Sequence, residues 1–171
     1  MRKGAVCLAL VAAAVCFVGP VARARDLTVD ERTAAQTAIE QVYWNHRIWP
    51  KENPGPKPEL AAVMSDEAIR AKVEDDLKKS NALVTWWKRP ITGEQLQAEL
   101  DRMAATSHDP GILKEIFAAL GNDPVLIAET LGRQSLADPL IRDAYSKDRR
   151  FHGELERGAV AVSAACRSVD C

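Results

Sequence analysis

The side chains whose types invite chemistry are few and scattered. His46, His108 and His152 each stand alone. No HExxH, no His-x-His and no acidic group at ligand spacing accompanies them, so surface or capping roles are expected and no metal site. Asp75-Asp76 is a carboxylate pair of the kind that acid–base chemistry uses. It lies in a charged segment read as facing solvent, where carboxylates keep ordinary pKa values and gain no catalytic advantage. There is neither a G-x-S-x-G elbow nor a glycine-rich phosphate loop. The sequence thus offers no catalytic residue and no cofactor site.

Aromatic placement is more informative. Five side chains, Tyr43, Trp44, Trp49, Trp86 and Trp87, gather near Pro50 and Pro90, at the ends of two helical segments. Neighbouring residues on a helix point about 100° apart, so one member of each adjacent pair can enter a core while the other faces sideways. These five are the candidate peptide-binding residues, because aromatic anchors concentrate binding energy in apolar grooves. Their competing role is to close the ends of a helix pair as core.

The elements that must position them begin after an export signal. Arg2-Lys3, the 14 apolar residues Ala5 to Val18, Gly19-Pro20 and Ala22-Arg23-Ala24 form a signal-peptide pattern, with cleavage expected after residue 24. A helix over the apolar run would reach only about 21 Å, short of a hydrocarbon core of about 30 Å. No membrane span is therefore expected after cleavage, and the protein should be periplasmic or secreted. The remaining 147 residues carry 20 basic and 24 acidic side chains. That balance argues against a nucleic-acid or anionic-membrane partner. Cys7 and Cys16 leave with the signal. Cys166 and Cys171 remain, either as a small disulfide loop or as two thiols of a tail.

From residue 25 to 157 the chain reads as one all-α domain of about six helices with a proline-rich arm. Thr28 and Glu31 form a capping box, and Ala35, Ala38, Ile39, Val42 and Tyr43 set an apolar stripe that ends near His46. Four prolines between positions 50 and 58 predict an extended, polyproline-like arm. A short turn at 60–64 leads to a second helix, capped at Ser65 or Asp66, buried through Ile69, Val73 and Leu77, and ended by Pro90. A second capping box, Thr92 to Gln95, opens a helix with Leu96, Leu100 and Met103 inside and Glu94, Glu99 and Arg102 outside. Asp-Pro pairs at 109, 123 and 138 each predict a helix start, and Gly121 and Gly132 predict left-handed stops. The last helix is expected to continue through Phe151 and Leu155, leaving 158–171 as a flexible tail.

The stretch Met64-Ser65-Asp66-Glu67-Ala68-Ile69-Arg70-Ala71-Lys72-Val73-Glu74-Asp75-Asp76-Leu77, followed by Pro90-Ile91-Thr92-Gly93-Glu94-Gln95-Leu96, resembles the N-terminal helical region of SurA-like periplasmic chaperones and parvulin-type foldases. The resemblance covers roughly residues 60–135 and rests on helix-start chemistry. It implies an exported, non-catalytic module whose partner is an unfolded or extended polypeptide. Only 16 residues follow Leu155, too few for a parvulin domain, so no isomerase residue transfers. A peptidyl-prolyl isomerase truncated before its catalytic domain is one alternative, and an accessory domain docking a fixed protein partner is another.

Overall fold

A computed structural model describes residues 26–166. Residues 1–25, which contain the expected export signal, and residues 167–171 lie outside this range. Seven α-helices are present, and the described residues contain no strand: α1 (Val29–His46), α2 (Asp66–Trp87), α3 (Gly93–Thr106), α4 (Pro110–Ala119), α5 (Pro124–Ile127), α6 (Arg133–Ser146) and α7 (Arg149–Ala165). A 3₁₀ turn, Leu60–Ala62, precedes α2, and a π turn, Ala128–Gly132, joins α5 to α6 without a break. Six helical rods result, an all-α single domain.

Local chemistry starts each rod. Thr28 accepts from the Glu31 amide while Glu31 accepts from the Thr28 amide, and Thr92 and Gln95 repeat the exchange for α3. Ser65 caps α2. Asp109 and Asp123 accept from the first free amides of α4 and α5, with Pro110 and Pro124 at the first helical position, where no N–H is needed. Gly121 stops α4 at φ +66°, a left-handed conformation in which a Cβ would be strained.

Two apolar clusters hold the rods together. Ala35, Ile39 and Val42 of α1 pack with Ile116 and Leu120 after α4's start and with Ile127 and Leu131 of the α5–π segment. Leu83 of α2, Ile91, Leu96 of α3, and Ala137 and Ala144 of α6 form the second cluster, flanked by Trp87. Ile39, Ile69, Leu83 and Ile116 are the large side chains most completely removed from water. Each such burial contributes about 1.5–3 kcal/mol, enough to override local preferences elsewhere in the chain.

Several overrides correct the sequence reading. Gly132 does not stop a helix, and Asp138-Pro139 does not start one. Gly132 has φ −65° and is buried, and Pro139 lies inside α6. The chain accepts the lost backbone bond because α6 packs along α2, the most extensive helix contact among the described residues. The proline arm turns instead of extending: the Asn53 amide donates to the Pro50 carbonyl, and Gly55 takes φ +76°. The last helix breaks at Lys147-Asp148, where Asp148 caps a new rod by accepting from the Arg150 amide. That rod runs to Ala165, past Gly158, where the tail was expected to begin. Cys166, at its C-cap, is disulfide-bonded. Glu99, expected outside, is 7% exposed, where it accepts from Arg102 and from Ser135 of α6.

Candidate functional site

The five aromatic candidates fall into two groups whose recorded contacts share no residue. At the end of α1, Trp44 is 8% exposed and Tyr43, one position earlier, 48%. The 100° step between adjacent helix positions produces this division. The Trp44 indole N–H donates to the Pro58 carbonyl at 2.9 Å, and Trp49 meets the Trp44 ring edge-on, with centroids 6.2 Å apart. The Trp49 N–H donates to the Gly55 carbonyl at 3.3 Å. Lys57 fastens the arm: its ammonium donates to the carbonyls of Trp44, Asn45 and Arg47 and lies 4.9 Å from the Trp44 ring centre. Those carbonyls are the orphans of a helix C-terminus, where the dipole favours a cation.

This fastening leaves an open groove of about 400 Å³ between the end of α1 and the 3₁₀ turn. Tyr43, Trp44, Leu60, Val63 and Met64 supply its apolar wall, and Glu40, His46 and Arg47 its polar rim. Partial burial and the neighbouring Glu40 charge raise the Tyr43 hydroxyl above the ordinary tyrosine pKa. Glu40 accepts from Lys72 at 2.6 Å and Gln36 at 2.8 Å, and His46 pairs with Glu115 at 2.8 Å.

The second aromatic group closes α2 onto α7. Trp87 is half-buried, and its N–H donates to Asp148 Oδ2 at 2.8 Å. Arg150 also pairs with Asp148 and donates to the Trp86 carbonyl at 3.3 Å. The Arg150 hydrogen bonds hold the Asp148 carboxyl well below its usual range. Trp86 itself is 62% exposed. Trp87 thus acts as a fastener between two helices, with its polar edge already occupied.

A third feature escaped the sequence reading. A far narrower cleft, of about 20 Å³, lies between α1, α2 and the π turn. Arg32 of α1 donates to the Glu129 carbonyl and carboxylate, and Arg133 donates to both Glu129 oxygens. Burial opposes ionisation of Glu129, but the Arg133 and Arg32 hydrogen bonds outweigh it and hold its carboxyl below the usual value. Asp76, expected to be solvated with an ordinary pKa, is half-buried here and accepts from Gln134 at 3.1 Å. Burial raises its carboxyl above the ordinary value, despite Gln134, Lys79 and Lys72. The charge runs around it resembled any solvated helix face, and only the packing of α6 on α2 distinguishes this position. π turns often mark functional sites. In this cleft, however, Glu129 is paired with both arginines, so the cleft reads as a polar lock between helices.

Among the described residues, no group of three or more His, Cys, Asp or Glu side chains is arranged to hold a metal ion. His46 and His108 are exposed, while the His152 ring packs edge-on against Tyr145 with centroids 4.8 Å apart. No described helix is long and apolar enough to cross a membrane. No family model, curated protein or solved structure matches the chain.

Proposed function

We propose that this chain is an exported, non-catalytic helical module that holds unfolded or extended peptide segments, as the likeness to SurA-like helical regions implies. The groove beside Trp44 carries the reading. Its volume of about 400 Å³ falls within the range of about 300–1,000 Å³ typical of ligand sites, and its aromatic and aliphatic wall meets a polar rim of Glu40, His46 and Arg47. Tyr43 and Val63, 48% and 55% exposed, are its available contact surfaces. Trp44 and Lys57 hold the wall in place. A preformed wall lowers the ordering cost that binding an extended chain would otherwise incur.

A second reading, docking of one fixed protein partner, draws on α7. Phe151, Leu155, Val160 and Val162 of that helix are all more than half exposed, and exposed apolar faces of this kind mark interaction surfaces. One experiment separates the two. Suppression of aggregation is measured for several unrelated denatured proteins at near-stoichiometric ratio, with the intact protein and with a Tyr43→Ser/Val63→Ser variant. Suppression of several clients, reduced by the variant, supports peptide holding in the groove. Failure with every client rejects that reading, and suppression that the variant leaves intact moves the contact away from the groove.

A further inference from the structure

The groove's rim is electrostatically lopsided. Of its three charged or titratable side chains, Glu40 is neutralised by Lys72 and hydrogen-bonded to Gln36, and His46 is paired with Glu115. Arg47 makes no ion pair among the described residues. Its guanidinium lies 6.0 Å from the centre of the Trp44 ring, over the wall of the groove, and the residue is exposed. Stacking on an indole face keeps the charge in place without neutralising it. Its backbone caps α1 by donating to the Trp44 carbonyl and accepting from Lys57, so the side chain is not needed to hold the helix end.

We propose that the groove selects extended peptide segments in which a bulky apolar residue is adjacent to a carboxylate, with Arg47 as the selecting group. This rests on the peptide-holding reading above and deepens it. The apolar side chain sits against Tyr43, Val63 and Met64, and the carboxylate meets the Arg47 guanidinium, whose planar donors suit a bidentate carboxylate. The chain as a whole is weakly acidic, at net −1. Its long-range field therefore favours basic peptides. A preference for acidic ones would have to come from a local cation, and Lys57, the other cation at the Trp44 ring, is engaged by the carbonyls of Trp44, Asn45 and Arg47.

The test uses three fluorescently labelled peptides, identical except for Glu, Gln or Lys beside a central Phe, titrated with the intact protein and followed by anisotropy. Binding should weaken by about two- to fivefold from Glu to Gln, the range of an exposed ion pair, and further to Lys. The preference should shrink as salt rises toward about 1 M, where the screening length falls to about 3 Å. Arg47→Gln should remove the Glu-over-Gln preference while leaving the melting curve unchanged, and Arg47→Lys should restore part of the preference. Equal binding of all three peptides, or a preference that survives Arg47→Gln, overturns the selection and leaves peptide holding intact. Binding of none of the three rejects peptide holding at this groove and the selection with it.

Discussion

At the residue scale, Trp44 and Trp86 have different tasks, and truncation should separate them. Trp44→Ala removes a ring that is 8% exposed and its bond to Pro58, so unfolding stability should fall by about 3–5 kcal/mol. Trp86→Ala removes a ring that is 62% exposed, and its effect should stay within about 0.5 kcal/mol. Urea titrations of the two variants check both values. Asp76 gives a pH signature. Its folded pKa is raised by burial, so the native state holds its proton more tightly than the unfolded chain does. Its contribution is therefore most favourable below the unfolded value of about 3.9 and is lost as pH rises through the raised folded value. Asp76→Asn keeps an acceptor for Gln134 and removes the buried charge. It should be more stable than the parent at pH 7, with the difference disappearing at low pH in urea melts. A variant less stable at pH 7 would contradict burial as the dominant cause.

At the element scale, helix ends and the π turn supply the levers. Lys88 ends α2 at φ +55°, a left-handed conformation that costs a non-glycine residue about 1–2 kcal/mol. Lys88→Gly should therefore raise stability by roughly 0.5–1 kcal/mol after glycine's greater unfolded-state freedom is counted. Gly132 presents the opposite case, a glycine in helical conformation. An added Cβ would lie 3.6 Å from Leu100 Cδ2 and 3.7 Å from Leu96 Cδ2, ordinary packing distances. Gly132→Ala should stabilise by about 0.5–1 kcal/mol. A thermal melt in which Gly132→Ala is destabilised would mean that the π turn needs the glycine for its own geometry.

At the scale of the whole molecule, the six rods are held unequally. α1 to α6 all contribute to the two apolar clusters, whereas α7 is fastened at its first turn through Asp148, Trp87 and Arg150. Beyond Gly153 every residue of α7 is exposed. Short helices without packing are marginal in water. Amide exchange should therefore be slowest at Ile39, Ile69 and Leu83 and fastest within α7 between residues 155 and 165. Equal protection along α7 and α2 would require a partner covering α7 in solution.

Helix class, most starts and one stop were readable from the sequence, because capping and periodicity act within a few residues. Thr28 with Glu31, Thr92 with Gln95, Asp109, Asp123 and Gly121 all behave as their types dictate. Gly132 and Pro139 do not, because the continuous packing of α6 on α2 and α3 outweighs what each costs locally. The aromatic positions next to prolines were visible as candidates. Their division into Trp44 and Trp87 as fasteners, and Tyr43 and Trp86 as surface, was decided by partners such as Pro58, Lys57 and Asp148, up to 61 residues away. Arg47 was silent, and Asp76 was read as solvated, for the same reason. A charged side chain on a helix reads alike whether it faces water, a groove or a cleft, and only the tertiary arrangement sets the dielectric and the neighbours that give it a role.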